Sequence, residues 1–262
     1  TLNSNTTGGD NAAYGRYALG ANTTGGCNTA IGTKSLFTNI TGACNTASGY
    51  GSMYSNTSSS FNVAYGYKTL YCNTTGPKNN AFGFEALGRN TTGTLNTAVG
   101  GYALYYNTTG ARNTASGSYS LYKNTTGTRN TASGYKALQC NVTSNDITAT
   151  GYYALRVNTA GQNTASGSYA MVSNTTGTYN VAMGVTTLGA NTTGTRNTAS
   201  GRYALRNNTT ASCNSAFGSF ALNDNTTGGA NDAFGYGALN KNTTGANNAA
   251  FGWRALHCNT TA

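Results

Sequence analysis

The residues with the most intrinsic reactivity are six cysteines, and they occupy only two registers of a recurring pattern. Cys27, Cys44 and Cys213 share one register, and Cys72, Cys140 and Cys258 share the other. Cys27 and Cys44 are neighbours in that pattern, so a disulfide between them is a candidate if their α-carbons lie a bridge's length apart. Links to neighbouring chains in an oxidising setting, or thiols serving only as small turn residues, are the other readings. Acid–base chemistry has less to draw on. His257 is the single histidine, and the five acids Asp10, Glu85, Asp146, Asp224 and Asp232 are scattered over different registers. A nucleophile with its base, or a carboxylate pair, needs convergence that this scatter does not offer. No acidic calcium-type repeat, phosphate loop or dinucleotide fingerprint occurs, so the sequence implies no cofactor and no metal, and the expectation is that the chain is not an enzyme.

Charge and glycosylation signals are weighed next. The net charge of +10 comes from 15 Lys and Arg against 5 Asp and Glu in 262 residues. Anionic or neutral surface polysaccharide is a conceivable partner for such a surface. The bases are sparse and form no dense aromatic-flanked patch, so nucleic acid is not the expected partner and solvated charge is the plainer account. Tyrosines such as Tyr152, Tyr153 and Tyr203 suit stacking on sugar rings or cross-strand packing equally. Every Asn that opens a repeat, Asn158 excepted, starts an Asn-x-Thr/Ser sequon. Sequons need exposed loops. An Asn and Thr ladder inside a turn is the expectation here.

All of these residues are set by one repeat. Counted from Asn5, the unit N-T-T-G-x-x-N-T-A-x-G-x-x-A-L-x-x recurs every 17 residues, with one 16-residue copy at 158–173 and partial copies at both ends. The reading is a single repeat domain over 1–262, with fifteen copies and no segment left for a second domain. Two Gly and several Asn and Thr per copy argue against helix. The predicted fold is therefore all-β, a β-solenoid (parallel β-roll) of about fifteen 17-residue rungs, one rung per repeat, each with two short strands and two turns. No apolar run is long enough for a membrane helix, so no membrane insertion is expected.

Each near-constant position then acquires a mechanical role. Position fifteen is the core ladder, Leu19, Leu36, Leu70, Leu87, Leu104, Leu121, Leu138, Leu155, Leu188, Leu205, Leu222, Leu239 and Leu256, with Met53 and Met171 completing the row. Ala at position nine and Gly at position eleven suit a coil too thin for large side chains to meet. Position one forms a turn Asn ladder, represented by Asn22, Asn90, Asn107, Asn124, Asn191, Asn225 and Asn242. Its amides can bond from rung to rung, and Asn there and Gly at position four tolerate left-handed turns. Position ten changes character: Tyr14, Ile31, Tyr65, Phe82, Val99, Met183, Phe217, Phe234 and Phe251 are apolar and the other copies carry Ser or Thr. Alternation makes it either an exposed interface stripe or part of the core. Ile147 in place of the seventh-position Asn, and the shortened N-T-A-G-Q-N, predict an irregularity around residues 141–163.

The unit N-T-A-x-G-x-x-A-L, as in Asn113–Leu121, Asn130–Leu138 and Asn197–Leu205, resembles the head repeats of YadA-like trimeric autotransporter adhesins. With N-T-T-G it is also similar to repeats in phage and large-virus tail-fibre-like proteins. The resemblance covers essentially the whole chain and implies a left-handed parallel β-roll, often as three chains, with a surface-binding or spacer role. With no cap read in the repeat array, the expectation is either that it is the repeat part of a longer chain or that its open ends stack head to tail. The expected function is thus an extracellular structural fibre or adhesive rod, self-assembling head to tail with copies of itself. A trimeric adhesin or virion-fibre head that binds glycans is the alternative, and an ice-binding solenoid a remote one. Cell or virion surface is the expected location.

Overall fold

The computed structural model describes residues 1–261 and contains fifteen parallel three-residue strands, one per repeat, in a β-solenoid. Contacts divide it into two compact units, Thr1–Asn130 and Thr131–Ala262. The first holds β1 (Ala12–Tyr14), β2 (Thr29–Ile31), β3 (Thr46–Ser48), β4 (Val63–Tyr65), β5 (Asn80–Phe82), β6 (Thr97–Val99) and β7 (Thr114–Ser116). The second holds β8 (Thr131–Ser133), β9 (Thr148–Thr150), β10 (Thr164–Ser166), β11 (Val181–Met183), β12 (Thr198–Ser200), β13 (Ser215–Phe217), β14 (Asp232–Phe234) and β15 (Ala249–Phe251). Within each unit consecutive strands pair in parallel and in register, Ala47 opposite Ala64 and Ala216 opposite Ala233.

Only one strand forms per coil, not the two that the repeat length suggests. The strand covers positions eight to ten, and the remaining fourteen positions are turns, bends and irregular backbone. The cause is visible in the backbone. Positions six, thirteen and fifteen are left-handed in coil after coil, as at Arg112 (φ 58°), Tyr102 (φ 59°) and Leu104 (φ 51°). A left-handed non-glycine residue costs roughly 1–2 kcal/mol. Each one also turns its N–H toward a neighbouring coil. Arg112 N donates to Thr94 O (3.0 Å), Tyr102 N to Phe84 O (2.8 Å), and Leu104 N to Ser120 O (3.0 Å). Ladder bonds thus run both up and down the stack from turns as well as from the strand, and backbone groups that a second strand would pair are satisfied without it.

Left-handed geometry at these positions corrects the expectation that Asn at position one and Gly at position four adopt it. Neither does. Gly at position four is small because the coils approach closely there: a Cβ on Gly110 would lie 2.4 Å from Asn107 Oδ1 and 2.5 Å from Gly127 O.

The interior is half apolar and half amide. Leu, Met and Ala at positions fifteen and nine are fully buried in nearly every coil, and position ten points outward. Leu256 is a correction to the core ladder. It is 52% exposed, because no described coil stacks on its outer side. Each buried leucine contributes on the order of 1.5–3 kcal/mol. The shortened copy leaves the strand register untouched, Ala149 and Ala182 both pairing with Ala165. Its lost residue comes out of the N-T-T-G turn, where Asn158 Nδ2 closes on Ala160 O at 2.5 Å, two residues on in place of the usual three. Ile147 is fully buried in the seventh-position row.

Candidate functional site

Two amide ladders organise the chain's polar groups. At position one, Asn107 Nδ2 donates to Asn90 Oδ1 of the preceding coil (2.7 Å) and to Gly110 O of its own (3.0 Å). Asn22, Asn90, Asn191, Asn225 and Asn242 repeat this pair of bonds, and Asn124 donates to Asn107 Oδ1 at 2.8 Å and to Gly127 O at 3.1 Å. At position seven, the backbone N–H and Nδ2 of Asn96 both donate to Asn79 Oδ1 (3.0 and 3.1 Å), and Nδ2 also reaches Gly110 O (2.8 Å). The position-four carbonyl therefore receives both ladders. The first Thr of each N-T-T adds a third row, Thr91 Oγ1 donating to Thr108 O at 3.0 Å while the N–H groups of Thr91, Thr92 and Gly93 converge on the same oxygen. From Asn22 to Asn242 the position-one amides are buried, so they are not presented as glycan acceptors, whereas Asn5 and Asn259 in the outermost coils are half-buried.

Groups able to meet a partner are on the outside, in columns one coil step apart. At position ten Tyr14, Ile31, Tyr65, Phe82, Val99, Met183, Phe217 and Phe251 are exposed and Phe234 is half-buried. Their rings stack: Tyr65 on Phe82 at 5.4 Å, Phe217 on Phe234 at 4.9 Å, and Phe234 on Phe251 at 5.0 Å between centroids. The sequence left the facing of this row open; strand alternation with the buried Ala at position nine turns it to solvent. Position twelve stacks Tyr50, Tyr67 and Phe84. A third column was missed, although its 17-residue spacing was there to be read. Position sixteen stacks Phe37, Tyr54 and Tyr71, and further on Tyr105 and Tyr122.

Cations sit over these rings. Lys68 Nζ lies 5.2 Å from the Tyr67 centroid and 5.5 Å from that of Tyr71, and Arg89 lies over Tyr105 and Tyr106 at 5.4 and 4.8 Å. The hydrogen bond to Tyr67 raises Lys68 above the ordinary lysine value, and the bond from Arg202 lowers Tyr203. Such contacts contribute about 0.5–1 kcal/mol at exposed sites. The charges are thus ring-bound as well as solvated.

Free thiols, one of the readings that the sequence left open, are the state of all six cysteines in this structure, with Cys27 and Cys44 exposed side by side. Both residues are left-handed, at φ 58° and 56°, so their Cα–Cβ bonds point the same way from adjacent coils. Parallel stacking holds such Cβ atoms about 4.8 Å apart, beyond the roughly 3.5–4.5 Å that a disulfide prefers. The neighbouring Cys44 pushes the Cys27 thiol up, and burial does the same to Cys72.

His257 Nδ1 lies 3.6 Å from Cys258 Sγ, and Asp224 is paired with Lys241 at 2.8 Å. Among the described residues no three His, Cys, Asp or Glu side chains gather as a metal site would need, and no helix is long and apolar enough to cross a membrane. The chain matches no family model, no curated protein and no solved structure.

Proposed function

We propose that the chain is a structural solenoid module of an extracellular fibre or adhesive rod, assembling end to end with copies of itself. The observation that carries this reading is the sameness of the bonding between coils. Within each unit, coil after coil presents the next with the same Asn, Thr and backbone donors and acceptors. A coil of one copy therefore fits a coil of another, which is the condition for an open heterologous polymer. Placement at a cell or virion surface rests on the resemblance of the N-T-A-x-G-x-x-A-L unit. A side-by-side adhesin or fibre-head assembly is the second reading, and the exposed position-ten rings favour it. Ice binding has less support, since the first Thr hydroxyl of the pair is committed to the ladder.

Cryo-electron microscopy of the purified protein tests the reading. A filament with an axial rise of about 4.8 Å running through the subunit junctions is the expected result. Discrete three-chain particles would favour the second reading, and monomers at every concentration would sink self-assembly altogether.

A further inference from the structure

The position-sixteen ring column is interrupted once. Phe37, Tyr54 and Tyr71 stack at 5.2 and 5.0 Å, Gly88 follows, and Tyr105 and Tyr122 resume at 5.8 Å. Tyr71 and Tyr105 belong to coils two steps apart, each step about 4.8 Å, and border the place where the column lacks a ring, with the Tyr105 ring leaning toward Gly88. A cavity of about 450 Å³ opens at this place, lined by Lys68, Tyr71, Glu85, Gly88, Arg89 and Tyr105 among others. Lys68 lies over Tyr71 at one wall and Arg89 over Tyr105 at the other.

We propose that this slot is a carbohydrate-binding site, taking a disaccharide stretch of a polysaccharide with one pyranose ring between Tyr71 and Tyr105. Volume argues against a single aromatic side chain from a second copy. A benzene-sized ligand fits a cavity of about 150 Å³, so 450 Å³ accommodates two or three ring-sized units and lies within the range of small-ligand pockets. Chemistry argues against nucleic acid. Stacking platforms with Lys and Arg suit a phosphodiester strand, but the Glu85 carboxylate shares the lining and repels one. A polyhydroxyl ring satisfies all the groups together: its C–H faces meet the two tyrosines, its hydroxyls donate to Glu85, and its oxygens accept from Lys68 and Arg89.

Gly88 makes the inference testable, because its backbone is not left-handed and a Cβ there lies 3.0 Å from Tyr105 Cε2 and 3.1 Å from Glu85 O, a tight fit that a shift of the Tyr105 ring by a few tenths of an ångström relieves. Gly88→Tyr completes the column as Tyr54 does one coil before Tyr71, and fills the slot. The experiment is saturation-transfer NMR and calorimetry on the full chain with cellohexaose, chitohexaose, hexagalacturonate, an eight-residue oligothymidine and N-acetyltyrosine amide. At least one oligosaccharide is expected to bind, to lose at least ten-fold in affinity in Gly88→Tyr, and to lose at least five-fold in the surface variant Arg89→Gln, with both variants keeping the wild-type circular dichroism. Gly88→Tyr that fails to fold leaves Arg89→Gln to decide. Absence of oligosaccharide binding, binding untouched by the folded variants, or tighter binding of the oligothymidine or the tyrosine amide would overturn the proposal. Sugar binding and end-to-end assembly are read by separate experiments, so either stands if the other fails.

Discussion

Asn107 shows what one repeated residue does. Its side chain donates to Asn90 Oδ1 and Gly110 O and accepts from Asn124 Nδ2, all with the residue fully buried. Each such bond is worth about 0.5–1.5 kcal/mol net, but a buried group left without its partner costs about 1–3 kcal/mol. Asn107→Ala breaks the row in its middle and strands the Asn90 carbonyl oxygen and one Asn124 amide hydrogen. We expect it to destabilise the protein by about 2–4 kcal/mol in urea unfolding. Thr109→Ala, at the exposed third position of the same turn, should change stability by less than about 0.5 kcal/mol. Equal effects from the two substitutions would mean that the ladder is incidental to stability.

At the scale of the coil, the period, the Leu row and the small residues at positions nine and eleven were legible in the sequence, because a stack of identical units repeats its packing needs at identical intervals. The backbone of the turns was not. Local rules assign left-handed geometry to Gly and Asn, yet Arg112, Tyr102 and Leu104 adopt it, since each gains a coil-to-coil hydrogen bond there that no single-coil argument contains. The same limit hid the slot at Gly88, which reads in one coil as an ordinary small residue and only in the column as a missing ring. Two adjacent glycines separate local from stacked requirements. Gly100 has φ +126°, and a Cβ there would lie 2.7 Å from Gly117 C and 2.9 Å from Ser118 N, whereas at Gly101 the nearest atom is 3.9 Å away. Gly100→Ala should cost about 3 kcal/mol or more, from backbone strain plus a clash with chain that cannot give way. Gly101→Ala should stabilise by about 0.4–1 kcal/mol by restricting the unfolded chain. Thermal unfolding of the pair decides it, and a tolerated Gly100→Ala would refute the close approach of the coils at position eleven.

For the molecule as a whole, the groups that hold it together scarcely titrate. Its interior polarity is amide and hydroxyl, none of the five acids is buried, and the Lys241–Asp224 pair is 54% exposed at the lysine, where solvent screens the attraction. Acid unfolding needs paired or buried groups that must change charge, so little drives it here. The alkaline side differs. In the first unit burial, reinforced by the bond to Tyr106, pushes Tyr122 up to about 12. In the second, the hydrogen bond between Tyr152 and Tyr153 pushes Tyr152 up to about 12 and lowers Tyr153, so the two shifts of that pair oppose each other. An unfolded tyrosine releases its proton near pH 10. Between about pH 10 and 12 the unfolded chain therefore binds fewer protons than the folded one at Tyr122, and stability falls as pH rises; below pH 10 both states are neutral there and the contribution is constant. Melting followed by circular dichroism should accordingly be level from about pH 4 to 9 and drop from pH 10 to 12. Tyr122→Phe should flatten part of that drop. An acid-side loss of comparable size would show instead that surface carboxylates carry stability which the amide ladders were assigned.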